Sequence, residues 1–290
     1  MAQATDSNRE FECTDADFEK VRRLIYDRVG ISLTAVKRDM VYSRLARRLR
    51  ALGMHRFKDY LAHLEGAHDP TEWEAFTNAL TTNLTSFFRE AHHFEILREH
   101  MDTLRGRGDL SIWCSAASTG EEPYSLAITM ADLYKSVAPP VSITATDVDT
   151  QVLKKAQAGI YTMERIERLP AEQTRRYFLK GEGDKSGFVR VRPELQRLIE
   201  FGQLNLLDTH YWVNGPFDAI FCRNVLIYFD KPTQAAILRK MEPLLKPRGL
   251  LFVGHSESLF HVADIFKLRG KTVYERVAKT LRAEKAGAHV

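Results

Sequence analysis

The hydrophobic positions between residues 14 and 80 recur at three- and four-residue intervals, which predicts helices throughout that stretch. Phe18, Val21, Leu24 and Ile25 share one face of a first helix that Thr14 and Asp17 open as a capping box and Gly30 can end in a left-handed cap. Val41, Leu45, Leu49 and Leu52 mark a second, over about residues 35 to 52, with Gly53 after it. A third covers Phe57 to Leu64, and Asp69 followed by Pro70 starts a fourth that is expected to bury Trp73, Phe76 and Leu80. After residue 105 the pattern changes to short apolar runs: Leu110 to Ser115, Val141 to Thr146, Leu198 to Leu206, Phe217 to Cys222 and Leu250 to Val253. Helical segments starting near Glu121, Asp149 and Pro232 separate several of them, an alternation that predicts a mostly parallel sheet wrapped by helices. Phe266 to Arg269 and Thr272 to Arg276 read as a hairpin around Gly270 and Lys271, so the last strand should enter antiparallel. Phe188 to Arg192 (FVRVR) follows the turn-rich Gly181 to Gly187 and predicts a small antiparallel hairpin subdomain inserted before the third main strand, with an open edge.

Composition narrows the class. The chain has 290 residues, 44% hydrophobic and 28% charged, enough for one large or two modest folded domains. No run approaches the roughly 20 apolar residues of a membrane helix, and the N-terminus is polar, so a cytoplasmic location without membrane insertion is expected. Cys114 and Cys222 fall inside apolar runs and read as reduced core residues. No metal site is expected: paired Cys spacing is missing, and the adjacent His92 and His93 of a predicted helix should point to different faces. The net charge of +4 does not by itself imply nucleic acid. Residues 35 to 56 concentrate Lys37, Arg38, Arg44, Arg47, Arg48, Arg50 and Arg56 against Asp39. Lys37, Arg44 and Arg48 fall along one flank of the Leu45 and Leu49 face, either as a surface for an acidic partner or as a solvated face.

In open parallel sheets, ligands bind beyond the carboxyl ends of the strands. The first strand runs into SAASTGEEPYS (115 to 125), where small residues let backbone approach a ligand and Gly120 permits a tight turn before Glu121 or Glu122 opens a helix. The loop lacks GxGxxG spacing and holds two acids where a pyrophosphate would be repelled. Asp147, ending the second strand, stands where a carboxylate can accept from both hydroxyls of a ribose, while Asp149 supplies the following helix cap. A nucleoside with an amino-acid tail and no phosphate fits both ends, as S-adenosylmethionine does. Asn205 and Leu206 offer an amide and an apolar wall for adenine, and FCRNVLIYFD (221 to 230) places Arg223, Asn224 and Tyr228 near the cleft.

Those segments, with TNLTSFFRE (82 to 90), ATDVD (145 to 149) and GHSES (254 to 258), resemble the motifs of the CheR family of chemotaxis receptor methyltransferases, in order and over nearly the whole chain. The resemblance implies a helical N-terminal domain (1–85) and a class I, Rossmann-like methyltransferase domain (86–283). It also implies a small antiparallel β-subdomain inserted at about 160–197 and leaves a tail at 284–290. It implies glutamate on receptor helices as substrate, S-adenosylmethionine as methyl donor and S-adenosylhomocysteine as product. By motif match, Asn83, Thr85, Arg89, Glu121 or Glu122, Asp147, Asn205, Leu206, Arg223 and Asn224 line the cofactor or its approach, with Arg89 and Tyr228 nearest the transferred methyl. In some members the inserted subdomain holds a flexible receptor tail, for which Arg190 and Arg192 are the candidate contacts here.

Glutamate, with a reference pKa of about 4.3, is ionised at neutral pH, so the acceptor needs no general base, in keeping with the lack of an obvious His or Lys dyad. Arg89 or Arg223 is expected to hold one carboxylate oxygen while the other attacks. Two other classes remain open on sequence alone. One is an RNA methyltransferase using the Arg-rich helix; against it, the fourth strand lacks an Asn/Asp-Pro-Pro-aromatic loop and the basic cluster lacks aromatic platforms beyond Tyr42. The other is a binding module that senses the cofactor without chemistry.

Overall fold

The computed structural model describes residues 9–66 and 69–277. The segment from 284, read above as a tail, lies outside the described residues. The chain divides into two compact units, one running to Thr82 with Tyr228–Asp230, the other comprising Asn83–Ile227 and the residues from Lys231 on.

The first unit contains α1 (Asp15–Val29), α2 (Arg38–Leu52), α3 (Phe57–Gly66) and α4 (Pro70–Leu80). Thr14 and Asp17 form the capping box, and Gly30 and Gly53 end their helices at φ of 74° and 65°. Val21, Ile25, Leu45, Leu49, Phe57, Tyr60 and Phe76 are buried. Two expectations change. Trp73 is half-buried beneath the Arg28 guanidinium, 5.3 Å from its ring centroid, and the buried residue of that turn is Glu72. Glu72 accepts from Tyr60 Oη (2.8 Å) and from Arg48 Nε (3.1 Å). Arg48 therefore neutralises a buried carboxylate, while Arg44 donates to the carbonyls of Leu80 (3.2 Å) and Thr81 at the end of α4. Both arginines are tied into their own domain, whereas Lys37 of that flank is exposed.

The second unit is built on α5 (His92–Asp102), β1 (Leu110–Cys114), α6 (Glu121–Tyr134), β2 (Val141–Asp147) and α7 (Thr150–Ala158). An insertion follows, with β3 (Ile160–Thr162), α8 (Met163–Ile166), α9 (Ala171–Tyr177), β4 (Phe178–Lys180), β5 (Phe188–Val191) and α10 (Pro193–Gln196). The chain then resumes with β6 (Ile199–Gln203), β7 (Phe217–Cys222), α11 (Lys231–Met241), β8 (Leu245–Val253), β9 (Phe266–Gly270) and β10 (Val273–Arg276). The described residues form a seven-stranded sheet in the order β6-β2-β1-β7-β8-β10-β9. Pairing is parallel from β6 to β8, and β10 lies antiparallel between β8 and β9, as the terminal hairpin predicts. This is the class I methyltransferase arrangement. β7 is buried at every position because helices cover both faces.

β6 is shorter than the apolar run suggests. Leu204 N–H to the Asp147 carbonyl (3.0 Å) is the last rung of the ladder, the one that pairs Gln203 with Asp147, and beyond it Asn205 Oδ1 accepts from Leu207 N–H in a local turn, so the chain leaves the sheet after Gln203. The insertion also differs from a two-stranded hairpin: it is a three-stranded sheet in the order β3-β5-β4. FVRVR is therefore the paired central strand, and the free edges belong to β3 and β4, each three residues long and too short to show a period.

Candidate active site

Parallel register brings the strand ends level: Cys114 pairs with Ala145 on one side and Phe221 on the other, Asp147 with Gln203, and Cys222 with Val253. From β1 the chain builds outward to β2 and β6, then returns to lay β7 on the opposite side. The carboxyl ends of β1 and β7 thus flank a topological switch point, where such sheets bind ligands.

The β1 loop closes against the end of β2. Asp147, 9% exposed, accepts from Ser118 N–H (2.8 Å) on one oxygen and from Asp149 N–H (3.0 Å) on the other. A carboxylate has about four lone-pair positions, so two remain for hydroxyl donors. Burial pushes its pKa up to about 6, against the opposing pull of the two N–H donors. Asp149 caps α7 through Gln151 and Val152 N–H and also receives the Asn83 amide (2.8 Å), while Ser118 Oγ donates to Asn83 O (3.3 Å). The 83-to-90 segment is thereby fastened to the β1 and β2 loops. Asn205 and Leu206 follow β6 beside Asp147, with Leu206 buried and its carbonyl bound by Lys240 Nζ (2.6 Å) and Tyr211 Oη (2.7 Å).

At the end of β7, Arg223 donates to Glu122 Oε2 (2.7 Å) and to Arg89 O, and lies 3.3 Å from Glu90 Oε2. Its side chain has no solvent exposure. The expected grip of Arg223 on an acceptor carboxylate is corrected: its charge is used inside the fold, between two acids. Arg89 is half-buried and donates to Leu84 O (2.8 Å). Burial raises the pKa of Glu122 against the pull of Arg223. Glu90 is subject to the same burial, but His255, Arg223 and Asn224 overcome it and bring its pKa down to about 2.

The acid of the GHSES segment joins two strand ends. Glu257, 6% exposed, accepts from Gly254, Asn224 (2.9 Å) and Ile227 (3.2 Å) N–H, so one carboxylate ties the turn after β7 to the turn after β8. A single acid among small and polar residues after a buried strand is the sequence signal. Phe88, Glu90, Ser118 and Asn224, all non-glycine, have φ between 48° and 56°, and the hydrogen bonds above hold Glu90, Ser118 and Asn224 in that left-handed region.

Not every candidate joins this cluster. Tyr228 ends a short turn (Leu226–Tyr228), groups with the helical unit and accepts from Ser32 N–H (2.8 Å). Thr85, Asn83 and Arg89 do join it, as do both Glu121 and Glu122. Arg190 is exposed on β5, whereas Arg192 is half-buried after it and donates to Arg175 O (3.4 Å). His92 and His93 do not diverge: their rings lie 4.3 Å apart, and their nitrogens fall within 4.8 Å of the Glu90 carboxylate. His93 is buried, which lowers its pKa to about 4, and the adjacent Arg223 guanidinium sits where it would repel a cation.

A family model for the CheR methyltransferase SAM binding domain matches residues 83–275, and one for the CheR methyltransferase all-alpha domain matches 16–81. The chain belongs to the CheR methyltransferase family. It is 58% identical to the chemotaxis protein methyltransferase of Klebsiella aerogenes, covering 90% of this chain and 89% of that one. With the Escherichia coli K12 protein of the same name it shares 54% identity over 90% and 91%. Among solved structures, the CcbJ methyltransferase of Streptomyces caelestis aligns at 14% identity and a TM-score of 0.33, over 55% of this chain and 50% of that one. This CheR chain uses S-adenosylmethionine as its cofactor. The strand-end residues fit that molecule: the small residues of the β1 loop let backbone approach it, and Asp147 keeps acceptor positions for the ribose hydroxyls. Family membership disfavours both the RNA-modifying and the sensing-only alternatives. No described helix is long and apolar enough to cross a membrane.

Proposed function

We propose that this chain methylates glutamate side-chain carboxylates on the cytoplasmic helices of chemotaxis receptors, forming glutamyl methyl esters and leaving S-adenosylhomocysteine. The supporting observation is the buried Glu122–Arg223–Glu90 network at the end of β7, which fixes the site with paired charges and leaves the half-buried Arg89 beside it. The relatives named chemotaxis protein methyltransferase, 50–58% identical, support the receptor as partner. Bound, S-adenosylmethionine supplies an electrophilic methyl on a cationic sulfur. An ionised glutamate would need no base to take that methyl, its oxygen–carbon bond forming as the sulfur–carbon bond breaks, and because opposite charges are lost together exclusion of water would favour the reaction. The chain's share is alignment. Asp147 orients the nucleoside, Asn205 and Leu206 border the base, and Arg89 contacts the acceptor on one side so that the other oxygen keeps its nucleophilicity.

A receptor tail is the second proposed contact. Ile160, Leu179 and Phe188 are exposed large apolar residues of the inserted sheet, and both Ile160 and Leu179 stand opposite Arg190 in register. A short acidic, aromatic peptide added to the free edge of β3 or β4 would find apolar contacts and one cation. Tethering there raises the local concentration of acceptor glutamates without touching the chemistry.

The test is methyl transfer from labelled cofactor to receptor cytoplasmic fragments and to bulk RNA, followed by mild alkali. Volatile labelled methanol from the receptor fraction is expected. Alkali-stable label, or label in RNA, would exclude the carboxylate as acceptor.

A further inference from the structure

Two acids open α6, and each has its own guanidinium. Glu122 is paired by Arg223 from the main sheet. Glu121, with no solvent exposure, accepts from Thr119 Oγ1 (2.6 Å) and is ion-paired by Arg165 from α8 of the insertion. The same Arg165 nitrogen donates to Thr85 O (3.1 Å), so one side chain joins the 83-to-90 segment, the start of α6 and the inserted subdomain. A second contact runs in parallel: Tyr161 Oη, from β3, donates to Thr119 O (2.7 Å). A Cβ placed at Gly120 would lie 2.7 Å from that hydroxyl and 2.9 Å from Ala156 Cβ, so the loop is pressed directly against the insertion's first strand. Gly120 itself has a φ of 98°, and the turn has little room to relax in either direction.

A buried carboxylate without a partner either protonates or moves toward water. Glu121 follows the Ser115–Gly120 loop directly, and its loss of place would carry Thr119 and Gly120 with it. We propose that Arg165 is a positioning residue for the cofactor, setting Glu121 and the β1 loop from outside the sheet and so coupling the inserted subdomain to S-adenosylmethionine affinity. The coupling is reciprocal: cofactor on the loop holds α8 in place by the same free energy. Arg165 is 41% exposed, so whatever docks on that side of the insertion reaches the charge that steadies the loop. The inference rests on the cofactor site as assigned above.

Calorimetric titration of S-adenosylhomocysteine into the full chain tests it, with Arg165→Ala, Arg165→Lys, Glu121→Gln and the Ala/Gln double variant. Arg165→Ala is expected to weaken binding by about tenfold or more, the loss of one charge-assisted contact. Lys should recover part of that, and Arg165→Ala should add less than about threefold in the Glu121→Gln background, where the charge pair is already gone. Turnover at saturating cofactor should change less than KM for cofactor, a split that general loosening of the fold would not give. Should Arg165→Ala lower the melting temperature, Arg165→Met keeps the apolar stem and carries the same expectation. Binding within twofold of the wild type in the Ala and Met variants, or full additivity with Glu121→Gln, would overturn the proposal. Failure of the wild-type chain itself to bind would instead overturn the cofactor-site assignment.

Discussion

Asp147 shows at the residue scale how a site residue works against the fold. Its folded pKa of about 6 lies above the usual carboxylate value of about 3.9, so the folded chain holds this proton more tightly than the unfolded chain does. Ionised Asp147 therefore costs stability in full above about pH 6, and the cost fades as pH falls from 6 toward 4. Cofactor binding needs the ionised acceptor and should run the other way, weakening below about pH 6. Asp147→Asn is expected to keep or raise the melting temperature while losing cofactor affinity by roughly tenfold to a hundredfold, as for one charged hydrogen bond of about 1.5–3 kcal/mol. Its affinity should also lose the acid limb. Calorimetry between pH 5 and 8 reads both effects, and unchanged affinity in the folded variant would remove Asp147 from the site. Its place was legible from sequence because a polar residue ending a buried strand has few other uses. That Arg223 is sealed between Glu90 and Glu122 was not legible, since Glu90 and Arg223 are 133 positions apart and nothing local marks them as partners.

Elements were read well where a period or a cap was long enough to show. α1 opens and closes on its capping box and glycine, and β1, β2 and β7 fall where apolar runs predicted them, whereas β8 starts at Leu245, before the predicted Leu250. Failures came where length or a local turn was decisive: β3 and β4 have three residues each, and β6 gives way to a turn in which the Asn205 side chain accepts from Leu207 N–H. The basic helix is the instructive case. Charge pattern alone could not separate a partner surface from an internal bridge, and the fold commits Arg48 to buried Glu72. Arg48→Glu is therefore expected to destabilise the helical unit by about 3 kcal/mol, because it leaves Glu72 uncompensated beside a like charge. Chemical denaturation measures this, and a loss below about 0.5 kcal/mol would return Arg48 to the partner surface. Glu257 acts between elements in the same way. Glu257→Ala strips partners from the N–H groups of Gly254, Asn224 and Ile227, and about 3 kcal/mol of stability and most cofactor affinity should go with them. Retained affinity would place the β7 turn outside the site.

At the scale of the whole molecule, sequence motifs spread over nearly the entire chain carry the family, while the sheet supplies the reason they converge: each sits just past the carboxyl end of a strand or on the segment fastened there. The insertion is the part whose contribution exceeds what its sequence shows, since Arg165 and Tyr161 support a loop more than forty residues earlier. The account stands or falls on the acceptor atom. Tandem mass spectrometry of a receptor cytoplasmic fragment, after incubation with this chain and S-adenosylmethionine, locates that atom directly. The expected result is one added methyl on individual glutamate side chains, removed by mild alkali and lost with Asp147→Asn. Methyl groups found on nitrogen or cysteine sulfur, or an unmodified receptor beside a chain that binds the cofactor, would contradict it.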